Sequence, residues 1–200
     1  MSEPAYPLSS PDWPRQGSWT YEDYLRLPDD GQRYEIIRGH LYVSPAPSVK
    51  HQFAVSRLDR MLGNWVDDND LGMVLVAPFE VLLPRGIGSP VQPDIIFIRK
   101  AAQPGAEDQN FAGAPDLVVD VLSKSTRRRD RTIKLSAYRD AGVREVWLVD
   151  PRDRTVQVLV SSAEGEYRDL GLFRSGEEAT SAVLPGLRVN VDRIFPPPDL

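Results

Sequence analysis

Two aspartates and a lysine in this 200-residue chain sit where their charges are costly. Asp94 opens the apolar run Ile95-Ile96-Phe97-Ile98, and Asp120 lies inside Leu117-Val118-Val119-Asp120-Val121-Leu122. With the two-residue repeat of a strand, Asp120 shares a face with Val118 and Leu122. An ionised carboxylate there is expensive unless a cation pairs with it. Two such carboxylates brought together would raise each other's pKa. A divalent cation answers both problems, and a few carboxylate oxygens with waters completing the shell are what Mg²⁺ accepts. Positions 130, 134, 137, 138 and 141 then fall on one helix face and read Asp, Lys, Ala, Tyr, Ala. Lys134 is thus set among small and aromatic residues, able to reach the sheet. Its ammonium could orient an attacking water and offset charge on a phosphate, while the metal lowers the pKa of that water. Together these residue types support metal-dependent phosphodiester hydrolysis.

The elements that must position these groups can be read from the pattern. Residues 1–18 are rich in Pro and Ser and predict a flexible arm, with one domain over 19–195. Thr20 caps a short helix that Pro28 closes. Arg33–Ile37 and His40–Ser44 flank Arg38-Gly39 as a hairpin. From Ser48 an amphipathic helix runs to Asp68, with Ala54, Leu58, Met61, Leu62 and Trp65 on one stripe and His51 a turn earlier on it. Three strands follow: GMVLVAPFEVLL, VQPDIIFIRK and APDLVVDVLS. Turn-rich PRGIGSP and the loop AAQPGAEDQNFAGA separate them. A second helix spans roughly Asp130 to Ala141, with Gly142 as its C-terminal cap. REVWLVDP, TVQVLV, EYRDLGLF and GLRVNV read as further strands. The first two of the three strands suit a hairpin, and the third, helix and REVWLVDP suit a parallel crossover. The expected fold class is α/β (α+β), a mixed β-sheet flanked by helices, with an extra N-terminal hairpin and extra C-terminal strands.

Composition narrows the function. The chain has no cysteine, which excludes disulfides, thiolate metal sites and cysteine nucleophiles. Residues 1–14 hold neither a basic start nor an apolar run, so no secretory signal is expected. No stretch approaches a membrane span, and a cytoplasmic location fits these features. The net charge of −5 argues against uniform attraction to nucleic acid, so any contact must come from a local basic patch.

The segments PDIIFI, PDLVVDVLSKSTRRRDRTIKLSAYRDAGVREVWLVDP and RYEIIRGHLYVSPAPSVKH resemble the Uma-type endonuclease-like family of bacterial proteins. That family belongs to the PD-(D/E)XK nuclease superfamily, with a restriction-endonuclease-like fold. The resemblance runs from about Tyr21 to Val160. It implies a metal-dependent endonuclease using Mg²⁺ or Mn²⁺ on nucleic acid, with DNA the expected partner. It also allows a homodimer, since nucleases of this superfamily often pair. Carried over by position, the first aspartate falls on Asp94 and the second acid on Asp120, where glutamate is usual. The family's lysine on the following helix matches Lys134, and its hairpin acid matches Glu35. The superfamily's usual lysine, two residues after the second acid, is here Leu122. The family commonly has a second hairpin glutamate where this chain has His40, and proline where it has Lys124. Lys124 shares strand parity with Asp120 and is a second candidate for the lysine role.

Other residues have both a functional and a plain reading. Arg127, Arg128, Arg129 and Arg131 suit phosphate contacts, since positive charge does not help a helix N-terminus; the plain reading is a solvated turn. His51 either faces the site or is structural. Glu80, in APFEVLL, faces the site or lies on an edge. Glu35 is a metal ligand or a partner for Arg33 or Arg38. Lys134 is catalytic, or snorkels over the sheet. The alternative function is a nuclease fold kept as a binding or assembly module without turnover.

Overall fold

The computed structural model describes residues 13–197. Of the expected arm, residues 1–12 lie outside the described residues, and 13–18 are held against the hairpin. Gly17 N–H and Trp19 N–H both donate to Gly39 O, Gln16 exchanges bonds with the Leu41 backbone, and Trp13 stacks on Trp19.

Helix α1 (Tyr21–Tyr24) begins in a reciprocal cap between Thr20 and Asp23. Strands β1 (Arg33–Ile37) and β2 (His40–Ser44) form the expected hairpin. Arg38 and Gly39 both take positive φ, as a tight primed turn requires. Helix α2 (Val49–Asp68) is capped by Ser48 and buries Ala54, Leu58, Leu62 and Val66 along one stripe.

The main sheet has six strands: β3 (Gly72–Val76), β6 (Ile95–Arg99), β8 (Leu117–Val121), β9 (Glu145–Asp150), β10 (Thr155–Ser161) and β11 (Tyr167–Phe173), in the order β11-β10-β9-β8-β6-β3. β8 and β9 run parallel, and the helical segment α3 over residues 127–141 crosses between them; their neighbours run antiparallel. Both strands are buried on both faces, which is why their sequences are nearly continuous apolar runs. A second sheet, in the order β2-β1-β5-β4-β7, adds β4 (Glu80–Leu83), β5 (Gly88–Val91) and β7 (Asn110–Ala112) to the hairpin. Near the C-terminus β12 (Glu178–Thr180) pairs with β13 (Arg188–Asn190).

Four expectations are corrected. GMVLVAPFEVLL is two strands in two different sheets, divided at Pro78, which has no N–H to extend a ladder. PRGIGSP is not merely a turn, because its Gly-Ser-Pro begins β5. The long loop after β6 contains β7. The second helix also starts earlier than expected, at Arg127, and residues Asp130–Lys134 form a π turn within it.

The six-stranded sheet divides two cores. Ile95, Phe97, Leu117, Val119 and Val121 face α2 and the C-terminal strands. Ile96, Ile98, Val118 and Leu122 face α3 and the second sheet. By strand alternation Asp94 and Asp120 belong to this second face.

Glu145 fastens the C-terminal segment to the sheet. Its fully buried carboxylate accepts from Trp147 Nε1 (2.7 Å), Ala182 N (2.7 Å) and Val183 N (3.0 Å). Glu145→Ala would leave the buried Trp147 Nε1 without an acceptor, at about 1–3 kcal/mol, and would take the partner from Ala182 N–H at an exposed position, while Val183 N–H keeps Ser181 Oγ at 3.1 Å. Urea unfolding is expected to register a loss of about 2 kcal/mol, with Glu145→Gln less affected because its amide oxygen still accepts.

Candidate active site

Asp94 and Asp120 meet across β6 and β8. The register pairs Ile95 with Val119, and continued by one residue it sets the two aspartates opposite each other on the face toward α3. Asp94 Oδ1 accepts from Arg33 Nη1 at 2.8 Å, and Oδ2 from Val121 N at 2.8 Å. His51 Nε2, from the first turn of α2, lies 3.2 Å from that same oxygen, so the ring's Nε2–H tautomer faces Asp94. Asp120 accepts from Lys134 Nζ at 2.8 Å and from Tyr138 O–H at 3.0 Å.

Lys134 ties the layers together. Its ammonium also lies 3.2 Å from Glu35 Oε1 on β1, so one charge bridges the two sheets from the helix. Glu35 further accepts from Gln92 N at 2.9 Å and pairs with Arg129 Nη2 at 3.1 Å. A lysine that is 1% exposed is tolerated because several carboxylates surround it. The π turn widens the helix locally, and Asp130 and Lys134 at its two ends are both buried.

These neighbours split the carboxyls into two kinds. Burial pushes Glu35 upward, but Lys134, Arg33 and Arg129 outweigh it and hold the group at about 2. Asp94 is likewise driven below the ordinary range: burial is opposed by the His51 hydrogen bond and by Arg33. For Asp120 burial prevails over Lys134, and the charges of Asp130 and Asp94 add to it, lifting the carboxyl to about 6. Burial also raises Asp130, against Lys134 and Arg129. Burial would depress the Lys134 ammonium, but Asp120 and Glu35 reverse that and raise it.

The stability consequence follows by sign. Lowered groups contribute stability above their unfolded pKa, and lose it as pH falls through the folded value. A raised carboxyl does the reverse: its contribution is present below the unfolded value and gone once pH exceeds the folded one. Thermal melts in chelator are therefore expected to lose stability as pH rises from about 4 to about 6, between the unfolded and folded values of Asp120, with the raised Asp130 acting in the same direction, and again in acid below about pH 4, where Glu35 and Asp94 protonate.

An open pocket of about 630 Å³ exposes part of this cluster. Arg33, His51, Asp94, Asp120, Asp130 and Lys134 line it, whereas Glu35 lies behind, turned to its cations. Among the described residues no three carboxylate, histidine or cysteine groups converge closely enough to hold a metal as they stand. Asp94 and Asp120 still fit a hard cation, because Mg²⁺ commonly takes one or two carboxylates and keeps its waters. Glu35 does not line the pocket and pairs with Lys134 and Arg129.

The structure brings Glu35, Asp94, Asp120, Lys134 and His51 together and leaves other candidates apart. Glu80 accepts from Tyr24 O–H (2.8 Å) and Tyr21 O–H (3.1 Å), on a strand inside its sheet, and does not line the pocket. Lys124 is exposed at the pocket rim, away from Asp120's carboxylate pairings. Leu122 is buried, and its N–H donates to Val149 O, so the usual lysine position is a core position here. Of the four arginines, Arg127 pairs with Asp150 and Asp153, and Arg131 donates to Gln157 Oε1 (2.8 Å). Arg129 is held by Glu35 and Ser44, while Arg128 is exposed. Sequence reasoning did not assign site roles to Tyr138, Gln92 or Ser44. Tyr138 alone had a signal, its place on the Lys134 helix face.

The family model described as "Uma2: Putative restriction endonuclease" matches residues 21–192. The chain belongs to the Uma2 family. The match takes in the whole cluster from Arg33 to Tyr138. Among solved structures, a "putative nuclease belonging to DUF820" from Anabaena variabilis is similar to the Uma2 chain at 21% identity and a TM-score of 0.72, covering 88% of this chain and 97% of that one. The likeness establishes the fold as restriction-endonuclease-like, a mixed sheet flanked by few helices. No curated protein matches the Uma2 chain. Among its described residues no helix is long and apolar enough to cross a membrane.

Proposed function

We propose that this Uma2 chain is a metal-dependent endonuclease that hydrolyses phosphodiester bonds in DNA, with Mg²⁺ or Mn²⁺ held by Asp94 and Asp120. One observation carries the reading: two aspartates on adjacent apolar strands, buried and yet both lining one open pocket. Stability alone gives no reason for that pairing, because buried charges cost more than apolar residues of the same size. When bound, the cation would neutralise the surplus negative charge of the cluster, lower the pKa of a water and stabilise the leaving oxygen.

The chain's own groups do the rest. Lys134 lines the pocket beside Asp120 and can donate to a water or a phosphate oxygen there. Glu35 is a positioning residue that fixes the ammonium from behind. Arg33, which is 27% exposed, presents its guanidinium to the pocket while holding Asp94, and can fork onto a phosphate. Lys50, Lys124 and Arg152 stand exposed around the mouth and line the same pocket. They suit the flanking phosphates better than the arginine run, three of whose members are already held by Glu35, Gln157 or aspartates. Lys50→Ala, Lys124→Ala and Arg152→Ala are expected to raise KM with little change in kcat. Each lost phosphate contact should reduce the salt slope of binding by about 0.7–0.9.

The test is incubation of chelator-treated protein with duplex DNA, single-stranded DNA and RNA, with and without Mg²⁺ or Mn²⁺. Metal-dependent cleavage that Asp94→Asn abolishes is the expected result. A second reading, a binding module without turnover, is favoured by one fact: every acid of the cluster already faces a basic group. Binding of nucleic acid without cleavage of any form would establish that reading instead.

A further inference from the structure

Asp130 is the buried carboxylate that the proposed mechanism leaves unused. It is 4% exposed and lines the same pocket as Asp94 and Asp120. Its Oδ1 is enclosed and accepts no hydrogen bond. The nearest cation to that oxygen, Arg129 Nε, stands 3.6 Å away, too far for a hydrogen bond, and itself has no acceptor. Buried polar atoms nearly always find a partner, so an oxygen left free beside a polar pocket points to something the pocket is built to receive.

Glu35 shares the unbonded oxygen, at Oε2, but differs in place and in pairing. It does not line the pocket, its Oε1 accepts from Gln92 N–H and pairs with Lys134, and its Oε2 has the Arg129 guanidinium 3.1 Å away. The π turn of α3 is what separates the roles. It buries Asp130 at its start and Lys134 at its end, so one irregular turn supplies both an acid and a base to the pocket wall.

We propose that Asp130, rather than Glu35, is the third acidic contributor to a divalent cation at Asp94 and Asp120, its Oδ1 accepting from a water bound to the cation. The inference rests on the metal-dependent reading above. A plainer role, an acid early in a helix that favours the dipole, would affect metal-free stability and not cation affinity.

Calorimetric titration of Mn²⁺ into the chelator-treated full chain distinguishes these outcomes without any cleavage assay. Asp130→Asn is expected to weaken Mn²⁺ binding at least about tenfold, and Asp130→Glu to recover much of the loss. Glu35→Gln should weaken it less than Asp130→Asn does. Circular dichroism and melting in chelator check the fold, and Asp130→Ser replaces the Asn variant, with the same expectation, should that one not fold. Wild-type affinity in the folded Asp130 variants overturns the inference and leaves the metal-dependent reading intact. So does a larger loss in Glu35→Gln than in Asp130→Asn. A wild-type chain that takes up no Mn²⁺ overturns both.

Discussion

Asp120→Asn is expected to make the metal-free protein more stable at pH 7.5 and at the same time to abolish Mn²⁺ binding and cleavage. The first half follows from the sign of the Asp120 shift. Its carboxyl is raised to about 6, first by burial, so at pH 7.5 the folded state carries a charge that it disfavours. Asparagine keeps the shape, and its amide can still accept from Tyr138 or Lys134. The lost ion pair with Lys134 subtracts from the gain, leaving about 1 kcal/mol, or about 2–4 °C in Tm for a domain of this size. The decline in stability between about pH 4 and pH 6 should flatten in the same variant. Asp94→Asn has the opposite sign. That carboxyl is held low by His51 and Arg33 against its burial, so its charge is favoured in the fold. Removing it takes from Arg33 the carboxylate it bonds at 2.8 Å, leaving only the longer approach to Glu35, and costs about 2 kcal/mol. Both variants should lose cleavage by about 100-fold or more. Two isosteric changes at neighbouring positions thus move Tm in opposite directions and activity in the same one. Equal destabilisation by both would mean that Asp120 is an ordinary structural carboxylate.

Much of this site could be read in the sequence, because its parts break local patterns. Asp94 and Asp120 are charges inside apolar strands, and the register of β6 and β8, which the sequence does not show, sets them on one face. Positions 130, 134, 137 and 138 share a helix face by period, and all four are buried. The family resemblance added Glu35 and matched the helix-borne lysine already read from the period. What escaped detection was decided by distant contacts. β5 and β7 have four and three residues, too short to establish a period, and prolines and glycines around them look like turns. The second sheet was missed with them, and so was the fact that Glu35 lies inside it, enclosed by Arg33, Arg129 and Lys134. The arginine run shows charge but not direction. Residues 127 and 131 point toward the end of β9, and 129 toward β1, so adjacent arginines have separate partners. His51 sits on the apolar stripe of α2 as a core residue would, and only the packing of the helix start against β6 brings its ring to Asp94.

Lys134→Met is expected to be the most damaging single change in the chain. Methionine fills nearly the same volume, so the effect is one of charge and not of a cavity. Glu35 and Asp120 would lose the ammonium they share, and Asp130 would lose the cation that most lowers its pKa. Breaking a buried ion pair from one side costs about 3–5 kcal/mol, measured as a reduced urea midpoint at unchanged slope. Lys134 is the foremost charge holding Glu35 down, so the Glu35 carboxyl should rise in the variant and the stability loss should grow from pH 5 to pH 7. Glu35→Gln added to Lys134→Met removes one stranded charge. The double variant should therefore be more stable than the sum of the single changes, with a coupling of about 1–3 kcal/mol. Cleavage separates support from chemistry. Lys134→Met should lower kcat by about 100-fold to 1,000-fold, and the double variant should recover stability without recovering that rate, because the ammonium that faces the pocket is still missing. If activity returned with stability, Lys134 would be a structural counter-ion, and the proton donor at the phosphate would have to be sought at Arg33.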